Sequence, residues 1–294
     1  MTTFRGCGTA LVTPMAADGV VDYPALRALA DWQIAEGIHF LVPCGTTGEA
    51  QTLSPNERRD VVRTVVEVAA RRVPVVAGAT SNDTRAAALE ARAMVAAGAD
   101  LILSASPYYN KPTPEGQYRH FAEVADAAGK PVILYNVPGR SAVNLDAATC
   151  LRLARRGGFA GVKEASGNVG QIMEILQDRP DGFSVLSGDD ALALAVIALG
   201  GDGVISVAAN EVPGPMARLV DLALRGDVAG AREVHYRLLD LMNANFIESN
   251  PIPAKAALVA MGRIAGGIRL PLVPLSETHR PTMLAALRRA GVLV

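Results

Sequence analysis

Cysteine is scarce in this chain: Cys7, Cys44 and Cys150 are the only three, odd in number and far apart. That excludes a disulfide framework and any CxxC metal or redox pair. It points to free thiols in a reducing cytoplasm. Excess charge of one sign is also lacking. Lys and Arg number 28 against 29 Asp and Glu, with no basic patch or acidic tail, so nucleic acid is not expected as a partner. Long apolar runs are missing as well. The longest, around 191–199, stops at Gly200-Gly201-Asp202, too short to span a bilayer, and no membrane association is expected. The N-terminus meets Arg5, then Gly6 and Gly8, without the charged-then-apolar order of a signal peptide. The four histidines, His39, His120, His235 and His279, show no metal-ligand spacing, and neither HExxH nor a nucleophile elbow occurs. No metal, no cofactor and no serine triad are expected.

What is present is a repeat. Half of the 294 residues are hydrophobic, enough for one large α/β barrel or two smaller domains. Alanine-rich helical stretches end at glycine and lead into apolar strands, as at Gly37, Gly98, Gly129 and Gly200-Gly201. The predicted strands are 8–12, 38–42, 73–77, 101–103, 131–135, 160–163, 184–186 and 203–206. Their near-continuous apolar character fits parallel strands covered on both faces. Ser54-Pro55-Asn56-Glu57 reads as a capping box, Thr113-Pro114-Glu115 as a helix start, and Asp189 and Asp190 as caps for the helix beyond them. Eight such units predict a (β/α)8 TIM barrel over 1–225. Helices at 227–246, 252–261 and 280–290 predict a C-terminal helical domain over 226–294.

Barrel chemistry sits at the C-terminal ends of the strands. Lys163 ends the sixth strand there, after Phe159-Ala160-Gly161-Val162. A lysine taken out of water loses its proton more readily, and the free amine is a nucleophile for carbonyl carbon. The alternative is a strand-end lysine paired with Glu164 or reaching solvent. Tyr135 ends the fifth strand, as a core residue or a proton shuttle with hydroxyl partners such as Thr46 and Tyr109. Gly45-Thr46-Thr47-Gly48 is a plain loop or an anion nest for a carboxylate. Arg140 is a solvated loop arginine or a bidentate carboxylate clamp. Pro107-Tyr108-Tyr109-Asn110, Ser187-Gly188-Asp189 and Ile205-Ser206 reach the same rim. A lysine, tyrosines and hydroxyls converging on one rim are hard to explain by packing alone.

Taken in order, these motifs resemble the dihydrodipicolinate synthase family of pyruvate-dependent class I aldolases. The match runs nearly end to end and includes Tyr135-Asn136-Val137-Pro138, Gly161-Val162-Lys163-Glu164 and Asn250-Pro251-Ile252-Pro253-Ala254-Lys255. The resemblance implies that Lys163 forms a Schiff base with pyruvate and that Tyr135 gives and takes protons. It implies that Thr46 links Tyr135 to Tyr109, the latter completing a neighbouring subunit's site. Thr47 and its amide are implied to hold the pyruvate carboxylate, with Gly188 and Ile205 lining the pocket. Arg140 is implied to bind the carboxylate of L-aspartate 4-semialdehyde. The family resemblance also implies a homotetramer, a dimer of dimers. Another pyruvate-type aldolase, cleaving a 2-keto-3-deoxy sugar acid or sialic acid, is the alternative within the family. A non-catalytic relative is disfavoured by the intact lysine, tyrosines and threonine. Lysine-inhibited members carry polar residues where this chain has Pro55, Arg58 and Ala86, beside Ala50, Gln51, Asn82 and Tyr108. Feedback by lysine is therefore expected to be weak or absent.

Overall fold

The computed structural model describes residues 4–293; residues 1–3 and 294, at the outer ends of the two expected domains, lie outside it. Eight strands form one parallel sheet: β1 (Gly6–Ala10), β2 (Phe40–Val42), β3 (Val76–Gly78), β4 (Leu101–Ala105), β5 (Val132–Asn136), β6 (Phe159–Glu164), β7 (Ser184–Ser187) and β8 (Gly203–Ser206). Their order is β2-β1-β8-β7-β6-β5-β4-β3. The ends of that list meet: Leu41 bridges Val75 in parallel, and the Gly78 amide donates to the Pro43 carbonyl at 3.0 Å. The sheet is thus closed into the expected TIM barrel. Gly78 is required at this seam, because a Cβ there would stand 1.9 Å from the Cys44 carbonyl oxygen.

Alternate positions along each strand take opposite faces. Phe40, Leu103, Ile133, Leu186 and Ile205 fill the barrel interior. Leu134, Val162, Val185 and Val204 point outward into a larger core shared with the helices. Both faces are therefore apolar, which is why the strands read as continuous hydrophobic runs. The expected strands are present with their limits shifted by up to three residues, most at β3.

Helix ends follow the local chemistry. Ser54 and Glu57 form the reciprocal capping box that opens Pro55–Ala69, and Thr113 caps Pro114–Ala128. Gly129 closes the latter helix at φ +59. The two aspartates after β7 part company. The Asp189 side chain accepts from the Ala191 amide as a cap. Asp190 instead crosses to the segment after β8, where Oδ2 accepts from the Val207 and Ala208 amides at 3.0 and 2.9 Å. The segment beyond them is a short 3₁₀ turn (Asp190–Leu192) before the helix Ala193–Ala198.

Past Leu224 the chain is helical, at Val228–Ala244, Ile252–Ala260 and Arg280–Arg289. Ala231, Val234, Leu238 and Leu241 of the first and Met283 and Leu287 of the last join the core that surrounds the barrel. Among the described residues no helix is long and apolar enough to cross a membrane.

Candidate active site

The parallel register sets Tyr135 beside Lys163 and Lys163 beside Leu186, all at the C-terminal ends of their strands. Both functional side chains point into the barrel and are almost fully buried, at 7% and 5% exposure. The Lys163 Nζ lies 4.4 Å from the centre of the Tyr135 ring. Glu164, the neighbour that offered the simplest ion pair, faces the other way. Its carboxylate accepts from Asn136 Nδ2, Gln171 Nε2 and the Ser166 amide and hydroxyl. Burial pushes the Lys163 ammonium down to about 8, with the Arg140 charge acting in the same sense and Asp190 opposing. At neutral pH roughly a tenth of the lysine is therefore free amine, about two hundred times more than for an exposed lysine. The lysine is thus mostly protonated at pH 7 but easily deprotonated.

Space for that side chain comes from Gly188, where a Cβ would stand 3.0 Å from Lys163 Cε and 2.7 Å from the Ala165 methyl. Ile205 lies in the interior layer beneath the mouth. Burial raises the Tyr135 phenol, while the Arg140 charge and the Thr46 hydroxyl offset part of the rise. A cavity of about 30 Å³ is bounded by Thr46 and Tyr135 and extends to Gln51 and Arg58, enough for about one water.

The Gly45–Gly48 turn is braced. The Thr13 hydroxyl donates to the Gly48 carbonyl at 2.7 Å. Its closing bonds use the Gly48 and Glu49 amides and not those of Thr46 and Thr47. Thr47 is buried, and its hydroxyl accepts from Asn250 Nδ2 at 2.9 Å. Arg140 stands exposed on the rim, not in an irregular loop but on a one-turn helix (Pro138–Ser141), and donates to the Asn250 carbonyl at 3.2 Å. Tyr109 is the one expected residue not gathered into the chain's own mouth. It is 87% exposed, with φ +71.

Sequence reasoning missed four contributors. Asp190 reads as a plain cap, yet it is buried with one carboxylate oxygen unpartnered, and it influences Lys163. Asn250 and Lys255 were visible only as part of a motif, with no role. Glu90 was overlooked: its carboxylate stands 3.0 Å from Arg58 Nε, without hydrogen-bond alignment.

A lysine of lowered pKa against a phenol, at the mouth of a closed (β/α)8 barrel, is equipped for imine chemistry on a carbonyl carbon. The sequence profile described as the dihydrodipicolinate synthetase family matches residues 3–290. This chain belongs to that family. Its members are lyases of the class I aldolase type. A relative from Koribacter versatilis, named 4-hydroxy-tetrahydrodipicolinate synthase, is 55% identical over 290 residues, 98% of this chain and 97% of the relative. The chloride-inhibited dihydrodipicolinate synthase from Acinetobacter baumannii, solved in complex with pyruvate, superposes with a TM-score of 0.97 at 43% identity, covering 99% of this chain and all of that one. A monomeric dihydrodipicolinate synthase variant superposes at 0.96 with 38% identity, covering 99% of this chain and 98% of that one.

Proposed function

We propose that this chain is a 4-hydroxy-tetrahydrodipicolinate synthase, condensing pyruvate with L-aspartate 4-semialdehyde in the first committed step of diaminopimelate and lysine biosynthesis. The observation that carries the reading is the buried Lys163 beside the Tyr135 ring, its ammonium pushed down to about 8. The free amine of Lys163 attacks the keto carbon, and loss of water leaves a protonated imine. Tyr135 supplies and removes protons in these steps, with Thr46 passing them on. The imine draws electrons, so a methyl proton leaves and an enamine forms. The enamine carbon adds to the aldehyde carbon. The amine of the second substrate then attacks the imine carbon, closing the ring and freeing Lys163. Thr47 and its amide hold the pyruvate carboxylate, Arg140 that of the semialdehyde, and Gly188 and Ile205 shape the floor.

The remaining assignments belong to the same reading. Tyr109 completes the relay of a neighbouring subunit, in a homotetramer built from two tight dimers, and its exposure in the single chain supports this. The enzyme works in the cytoplasm, and three buried free cysteines whose thiols are all raised by burial support a reducing compartment. Residues 1–225 are the catalytic barrel and 226–294 a helical domain packed on it. An aldolase for a keto-deoxy sugar acid is the second reading; the rim position of Arg140 favours a short acidic aldehyde instead.

The test is a coupled assay with pyruvate and aspartate semialdehyde, together with borohydride trapping. Wild type turns over and is labelled by pyruvate at Lys163. Lys163→Ala loses roughly a thousandfold or more of its rate and is not labelled. Wild type that turns over sugar acids but not the semialdehyde removes this assignment.

A further inference from the structure

Thr47 and Arg140, the residues assigned to the two substrate carboxylates, sit on different strand-end segments of the barrel. One residue from outside the barrel touches both. Asn250, 5% exposed, donates from Nδ2 to the Thr47 hydroxyl and accepts the Arg140 guanidinium on its main-chain oxygen. Five residues on, Lys255 Nζ meets Glu49 Oε1 at 2.5 Å, with side-chain exposures of 4% and 1%. Glu49 ends the Gly45–Gly48 turn in the left-handed region at φ +53, a costly conformation for a glutamate that its surroundings must hold. Its other oxygen accepts the Arg269 amide at 3.4 Å. Between the two contacts the backbone is stiff: Pro251 and Pro253 flank the first turn of the helix Ile252–Ala260. The Lys255 stem lies along a largely apolar cavity of about 320 Å³ formed with Ile252, Val259, Leu275 and Met283, and its ammonium turns to Glu49.

We infer that residues 250–255 are a positioning clamp. Asn250 and the Lys255–Glu49 pair hold the Thr46-Thr47 turn at the separation from Arg140 that pyruvate and the semialdehyde together need. The clamp acts through Thr47 and Glu49 and touches neither reacting carbon, so it governs how tightly the ketoacid is held more than how fast the imine reacts. This rests on the proposed function, and the test separates the two. The readout is the pyruvate concentration giving half-maximal borohydride labelling of Lys163, beside KM, kcat and the melting temperature.

Asn250→Ala, which keeps the carbonyl to Arg140, raises that concentration and the pyruvate KM roughly tenfold, about the worth of one hydrogen bond. It leaves kcat within about threefold, and it adds nothing when combined with Thr47→Val. The pair Glu49→Gln with Lys255→Met, which removes both buried charges and keeps the stem, raises the same concentration and serves if Asn250→Ala does not fold. An unchanged half-labelling concentration, an additive Thr47→Val cycle, or kcat falling in step with melting temperature overturns the clamp. Wild type that is not labelled at all overturns the function and not the clamp alone.

Discussion

Lys163 carries two opposed demands. The proposed reaction needs its free amine, whereas burial next to Asp190 and Arg140 sets how much amine there is. Because the pKa is lowered to about 8, the reactive fraction grows as pH rises toward 8 and levels off above it. We predict an acid limb near that value in kcat/KM for pyruvate, since this parameter reports the free enzyme. A limb about two units lower, or none, contradicts the assignment. The same shift has a stability cost of opposite habit to a salt bridge. Below about 8 the fold holds an ammonium that the unfolded chain would keep in water. The cost fades as pH climbs toward the unfolded value of roughly 10.4.

At the scale of elements, two helices on one flank carry the positions on which the expected insensitivity to lysine rests. Arg58 of Pro55–Ala69 faces Glu90 of Thr84–Ala96 at 3.0 Å, and burial raises the Glu90 carboxyl against the pull of Arg58. Glu90 thus already faces a cation of its own chain. Pro55 and Ala86 offer no side-chain hydrogen-bond acceptor to an incoming ammonium. The cavity between Thr46, Tyr135 and Arg58 places this flank against the residues of the proposed relay. We predict that submillimolar lysine leaves the initial rate unchanged. Full inhibition in that range overturns the reading and would implicate Glu90, released from Arg58, as the acceptor.

At the scale of the whole molecule, the proposed relay extends beyond one chain. Tyr109 is exposed in one chain although its assigned partner Thr46 lines the cavity next to Tyr135. If a second copy inserts Tyr109, two inactive variants must rescue each other. Tyr109→Phe and Lys163→Ala, mixed under conditions of subunit exchange, should recover up to roughly a quarter of wild-type activity, from the one intact site in each mixed pair. No recovery, with exchange verified, places Tyr109 outside the neighbouring site.

Much was readable along the chain. The strands, the Ser54 capping box, the glycine stops and the Lys163 and Tyr135 positions at strand ends all rest on periodicity and short-range bonding, which neighbouring residues settle among themselves. Register and barrel closure then follow, because alternate residues must face either the interior or the helices. What folding alone settled is chemistry between distant segments. Asp190 left its expected capping role for amides 17 and 18 residues away. Glu90 reached Arg58 across two helices. Asn250 and Lys255 met Thr47 and Glu49 from more than 200 residues away. Each of these buried polar groups took the partner that the packed barrel brought within reach, since leaving it bare in a dry interior costs more than any local preference supplies.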